Sequence, residues 1–150
     1  LGDEANRLRI KSAFAAHKIY DDRLILEGPT SRSDYLETYN KIDIVLDTFP
    51  YPGGTTTVDA LWMGVPVVTL TGHRFLEHLG ESILTSANLE ILIGKTVSDF
   101  IERALSLSSD IDGLARPVAN HELSTSIASS FVGFLRLPAQ IRHRPNVTSG

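Results

Sequence analysis

The sequence predicts an α/β protein built on a parallel sheet flanked by helices, and three observations carry that prediction. Apolar runs at 24–26 (LIL), 42–46 (IDIVL) and 65–70 (VPVVTL) are hydrophobic at nearly every position, as strands covered on both faces are. Helix-periodic segments separate them, so the connections are crossovers and the strands run parallel. Each run is followed by a loop rich in Gly, Pro or Thr: GPT at 28–30, DTFPYPGGTTT at 47–57 and TGHR at 71–74. In a doubly wound sheet, loops at the carboxyl ends of the strands face a common crevice where ligands gather.

The elements follow in order. Residues 4–20 predict a helix with Leu8, Ile10, Phe14, Ala15 and Ile19 as its apolar stripe and Arg7, Arg9, Lys11 and Lys18 on the wet side. Asp21 and Asp22 break it, a strand is expected over 23–27, and Gly28-Pro29 ends that strand. A second helix is expected over 30–41, capped by Ser31 or Ser33, with Asp34 and Glu37 early where the dipole favours them and Tyr35, Leu36 and Tyr39 on its apolar side. The strand at 42–46, a helix opening at Thr55 with Trp62 and Met63 in the core, and the strand at 65–70 come next. Beyond them the pattern predicts a helix over 75–87 on Leu76, Leu79, Ile83 and Leu84. The run at 88–93 reads equally as a strand or a helical turn, and 97–107 is an amphipathic helix. A last helix is expected over 122–135, with Ile127, Phe131, Phe134 and Leu135 facing inward. Residues 1–137 thus form one domain, and 138–150 a tail expected to be disordered.

Composition bounds the function. A chain of 150 residues that is 42% hydrophobic and 21% charged can build a real core. The net charge of −4 gives no field favouring nucleic acid. With no cysteine there is neither disulfide nor thiolate metal site, and no apolar run approaches the length of a membrane span, so a cytoplasmic location is expected. The chain begins at Leu1 rather than Met, which reads as a piece of a longer protein.

The loop at 47–57 holds the chemistry. Gly53 and Gly54 allow backbone conformations and close approach that other residues forbid, and Thr55, Thr56 and Thr57 open a helix. A first helical turn has N–H groups without intrahelical acceptors and a partial positive charge, which suits a phosphate. Asp59, one turn in, could accept hydrogen bonds from ribose hydroxyls. Thr56 and Asp59 also have the T-x-x-D spacing of a helix cap, so a phosphate site and a structural cap stand equal on spacing alone.

The phrase DIVLDTFPYPGGTTTVDALWMGVPVVTL at 43–70 closely resembles the donor-binding core of the O-linked N-acetylglucosamine transferase family, which includes plant SPINDLY-type and bacterial members. RLILEG at 23–28 and GHRFLEHLGESIL at 72–84 resemble it too, and the likeness covers roughly 6–135. It implies a GT-B architecture of two Rossmann-like domains with a sugar nucleotide in the cleft, usually preceded by tetratricopeptide repeats. This chain would be most of the second domain.

By that resemblance Thr55 and Thr56, with the backbone of Gly53 and Gly54, fall on the positions that contact the nucleotide diphosphate, and Asp59 on the acid that holds the ribose. Thr30 and Arg32 fall in the loop around the base, and Tyr35 where the animal enzyme has a histidine near the uracil. On its own pattern Tyr35 suits a core position equally well. His78 stands where bacterial relatives often have arginine.

The implied reaction is inverting transfer of N-acetylglucosamine from UDP-GlcNAc to a protein Ser or Thr, without a metal or other cofactor. GDP-fucose, as used by SPINDLY-type relatives, and a non-catalytic nucleotide-sugar module are the alternatives. A dinucleotide-type enzyme would need G-x-G-x-x-G after the first strand, where this chain has Gly28-Pro29-Thr30. No catalytic residue is assigned, because the family's acceptor-side residues lie upstream. The chain alone is therefore expected to be inactive, to meet its protein acceptor only through that upstream region, and to self-associate through an unpaired sheet edge and an apolar lip.

Overall fold

The computed structural model describes residues 4–110, which fall into two compact units divided between Lys41 and Ile42. The helix expected over 122–135 and the tail at 138–150 lie outside the described residues.

The first unit holds α1 (Glu4–Ala15) and α2 (Arg32–Thr38), the latter running into a 3-10 turn at Tyr39–Lys41. α1 stops short of residue 20 because Lys18 takes a left-handed conformation, φ 62°. There the Ile19 N–H bonds back to the Phe14 carbonyl and the Lys18 N–H to that of Ala15, which satisfies the helix's last carbonyls. The apolar stripe of α1 is not buried: Leu8 and Phe14 are exposed, and Tyr39 is the buried residue of this unit among those described. The strand expected over 23–27 does not form. Ile25 is 84% exposed, and the Leu26 carbonyl is taken by the Arg7 guanidinium at 2.9 Å rather than by a ladder. Apolar residues make a strand only when a neighbouring strand accepts their backbone groups, and the described part of this unit has none.

The second unit is the α/β body. Its elements are β1 (Val45–Leu46), α3 (Thr55–Trp62), β2 (Val67–Leu70), a 3-10 turn at Phe75–His78, α4 (Leu79–Ser86), a 3-10 turn at Glu90–Leu92, β3 (Ile93–Gly94) and α5 (Val97–Ser109). The strands form a parallel sheet in the order β1-β2-β3, with Val45 opposite Val67 and Thr69 opposite Ile93. The segment at 88–93 therefore contains both a helical turn and the start of a strand.

The central strand is sealed on both faces: Val65, Val67 and Val68 have no exposed surface, and Leu84 of α4 and Leu107 of α5 close over the sheet. β1 is the edge of the described sheet, and Leu46 is 56% exposed, unlike the two-face burial its apolar run predicts. Trp62 also departs from expectation, lying 45% exposed on the outer side of α3.

Two further helices end as α1 does, and this returns the chain to the sheet. Gly64, at φ 80°, lets the Val65 N–H reach the Ala60 carbonyl, after which the chain enters β2 directly. Asn88, at φ 55°, does the same for α4 through the Leu89 N–H and the Leu84 carbonyl. At Gly94 a Cβ would stand 2.7 Å from the Phe100 backbone, so only glycine lets α5 lie this close to β3.

Leu84→Ala is expected to cost about 2–5 kcal/mol of unfolding free energy in a denaturant titration, because it opens a cavity where α4 meets β2. The exposed Ile91→Ala should cost less than about 1 kcal/mol in the same measurement.

Candidate functional site

Among the described residues three helices carry a Ser/Thr-x-x-Asp pattern at or just inside their starts, and they do not use it alike. At α2 the Ser31 hydroxyl accepts the Asp34 N–H at 3.2 Å, and the Asp34 carboxylate accepts the hydroxyls of Ser31 and Thr30. At α5 the Thr96 hydroxyl accepts the Asp99 N–H at 3.1 Å, while the Asp99 carboxylate accepts the Lys95 N–H and pairs with Arg103 at 2.7 Å. Those bonds, with Lys95 first, hold the Asp99 carboxyl below its ordinary range. At α3 the N-cap is Gly54, which has no side chain to offer, and no side-chain cap bond is made. Thr56 is already inside the helix, so it is not the N-cap residue.

The three threonines of this turn divide by exposure. Thr55 and Thr56 are exposed at the helix start. Thr57 is 2% exposed, and its hydroxyl donates to the Gly53 carbonyl at 2.9 Å. Asp59 is 5% exposed, so a ribose hydroxyl would have to meet a carboxylate that already lies beneath the surface. Gly53 is boxed in: a Cβ there would stand 2.4 Å from the Thr56 hydroxyl and 2.6 Å from that of Thr57. Any other residue would push apart the turn that begins α3.

A residue that pattern reading overlooks holds this turn. Asp47, just after β1, accepts the Gly53 N–H at 2.7 Å and the Thr48 N–H at 3.0 Å on Oδ1, and the Thr69 hydroxyl at 2.9 Å on Oδ2. The available signal was modest: an acid where a parallel strand gives way to a Gly-rich loop.

The loop after β2 is built on a second carboxylate. Glu77, 7% exposed, accepts the N–H groups of His73 at 2.8 Å and Arg74 at 3.1 Å, and it occupies the space a Cβ on Gly72 would need. These backbone bonds, His73 first, hold its carboxyl below the ordinary value of 4.5. Glu81 is lowered in turn by the Thr71 hydroxyl at 2.5 Å and by His78 Nδ1 at 2.6 Å. His78 is thus tied to Glu81 rather than standing as a lone charge.

The remaining candidates lie in the first unit. Thr30 and Arg32 are exposed at the start of α2, and the Arg32 guanidinium lies over the Tyr35 ring, 5.5 Å from its centroid. The Tyr35 and Tyr39 hydroxyls are 2.6 Å apart and their rings meet edge to face, so half-buried Tyr35 is anchored on the one buried side chain of this unit among the described residues. The structure thus brings Gly53, Gly54, Thr55, Thr56 and Asp59 together in one turn, and Thr30, Arg32 and Tyr35 at one helix start of the other unit. An open groove on α5 lined by Ile101, Leu105 and Glu102 contains none of them. Among the described residues no helix is long and apolar enough to cross a membrane.

Because the folded-state value for Glu77 is depressed, its stabilising bonds are fully present above the ordinary carboxylate value and are lost as pH falls through the folded one. Glu77→Gln should therefore lower the melting temperature at pH 7, and the gap to the wild type should close on acidification below about pH 4, near the unfolded carboxylate value.

The chain is 44% identical over 81 residues to a barley (Hordeum vulgare) protein described as a probable UDP-N-acetylglucosamine–peptide N-acetylglucosaminyltransferase SPINDLY, a stretch that is 54% of this chain and 9% of that one. It is 28% identical over 93 residues to a UDP-N-acetylglucosamine–peptide N-acetylglucosaminyltransferase of Caenorhabditis elegans, covering 62% and 8% of the two chains. Among solved structures, a mutant O-GlcNAc transferase of Thermobaculum terrenum matches with a TM-score of 0.73 at 36% identity, over 88% of this chain and 27% of that one. The chain therefore spans less than a tenth of these curated relatives' length. The profile of Glycosyl transferase family 41 matches residues 4–130, and since that takes in most of the chain, this protein belongs to that family.

Proposed function

We propose that this chain is the donor-nucleotide-binding part of a glycosyltransferase that moves N-acetylglucosamine from UDP-GlcNAc to protein Ser or Thr with inversion. The observation that carries the proposal is the start of α3. Where α2 and α5 cap themselves, α3 presents Gly54 and the exposed hydroxyls of Thr55 and Thr56. Family membership and the names of the relatives support the same reading.

The chemistry follows from the leaving group. The acceptor hydroxyl oxygen gives up its proton to solvent and forms a bond to the sugar's anomeric carbon as the bond from that carbon to the diphosphate oxygen breaks on the opposite face. The electron pair and a growing negative charge pass to the nucleoside diphosphate. A helix start with backbone N–H groups and two hydroxyls, fixed in place before reaction, stabilises that charge without reorganising. Asp59 is assigned to the ribose. The chain spans less than a tenth of its curated relatives' length, so donor binding is the part of the reaction assigned to it.

Calorimetric titration of the chain with UDP, GDP and AMP tests the proposal. UDP should bind, AMP should not, and Thr55→Val/Thr56→Val should weaken UDP at least about tenfold, since two hydrogen bonds to a charged group are removed. Tighter binding of GDP would move the donor to a guanine nucleotide on the same site. Failure of the folded chain to bind either diphosphate would overturn the donor-binding role for this chain.

A further inference from the structure

We infer that Asp47 is the positioning residue of the diphosphate turn, holding the start of α3 in its binding geometry before ligand arrives; this rests on the donor-site reading above. The inference begins with where its bonds go. One carboxylate spans three pieces of chain that sequence separates: Thr48 beside it, Gly53 in the turn and Thr69 on β2. Gly53 is the residue before the N-cap, and it is also the acceptor of the Thr57 hydroxyl. Its N–H is fixed by Asp47 on one side and its carbonyl by α3 on the other, so the angle at which α3 leaves the turn is set at this residue.

The carboxylate itself has no freedom to swing away. A Cβ on Gly80 would stand 2.4 Å from the Thr69 hydroxyl and 2.7 Å from Asp47 Oδ2, so the backbone of α4 closes over the Asp47–Thr69 bond. A Cβ on Gly53 would stand 3.3 Å from Oδ1 on the other side. β1, β2, α4 and the turn thus meet on one side chain. The same geometry makes the Gly53 N–H unavailable to a ligand, so a diphosphate must take its backbone donors further along, from the first turn of α3. Asp47 acts on the diphosphate through that turn and not by contact, because its carboxylate is committed to three donors.

The test separates positioning from general loosening. The full chain and its Asp47→Ala, Asp47→Asn and Thr69→Val variants are titrated with UDP and with uridine, and their melting temperatures are recorded. Asp47→Ala should weaken UDP at least about fivefold, because the Gly53 N–H loses its acceptor, while uridine binding stays within twofold. Asp47→Asn should restore most of the UDP affinity: its amide oxygen still accepts from Gly53 and its NH2 can donate to the Thr69 oxygen. Thr69→Val should fall between them, and it decides the matter if Asp47→Ala does not fold. Wild-type UDP affinity in Asp47→Ala, or equal losses for UDP and uridine, would overturn the inference while Thr55→Val/Thr56→Val still reports on the site. Loss of UDP affinity in none of these variants, the threonine pair included, would overturn the donor-site reading itself.

Discussion

The α/β body depends on what happens where β1 ends. The Asp47 backbone N–H still belongs to the sheet, bonded to the Val68 carbonyl at 2.9 Å, while its side chain already belongs to the turn. One residue thereby transfers the orientation of a two-residue strand into the loop that begins α3. β1 is too short to do this by its ladder alone. A pair of backbone bonds leaves the exit direction loose, and a carboxylate that collects donors from the loop and from β2 removes that looseness.

Helix ends shape the rest. α1, α3 and α4 all finish in a left-handed residue, at Lys18, Gly64 and Asn88, each with the same back-bonding of the next N–H to a carbonyl five residues earlier. After α3 that reversal delivers Val65 to the core, and after α4 it delivers Leu89. Helix starts differ among themselves instead. α2 and α5 close their first turns with their own side chains, and α3 leaves its first turn facing out. α4 likewise makes no side-chain cap bond, so what sets α3 apart is that its uncapped start follows directly on the glycine-rich loop.

Much of this was legible in the sequence. The parallel order of 42–46 and 65–70, the helix opening at Thr55, the helical segments over 75–87 and 97–107 and the cap at Ser31 follow from periodicity and turn chemistry, and the structure has them. The strand at 23–27 was misread because apolar character reports only the wish to be buried; a strand also requires a partner ladder, which a local pattern cannot supply. Trp62 and Leu46 were misread for a related reason, since burial at an edge is decided by what else packs there. Asp47 escaped notice because its partners, Gly53 and Thr69, lie 6 and 22 residues away, and no spacing rule joins them. The T-x-x-D ambiguity could not be settled by spacing either. The structure shows where the helix starts, with Gly54 as N-cap and Thr56 inside it.

A carboxylate under the turn proposed to bind an anion looks self-defeating, and the hydrogen bonds explain how the two would coexist. The Asp47 charge is met by two N–H groups and a hydroxyl, all pointing at it, so its field is spent locally on fixed dipoles. The first turn of α3 points the other way along the chain, and its partial positive charge is met by no side-chain cap. Thr57 is buried and bonded to the Gly53 carbonyl, whereas Thr55 and Thr56 are exposed, and their hydroxyls carry no charge of their own. Neutral donors would fit the proposed leaving group, a diphosphate whose charge grows during reaction and must afterwards depart. A fixed cation at the same spot would hold the product as firmly as it stabilised its formation, whereas dipoles and hydroxyls hold it by hydrogen bonds that water can replace.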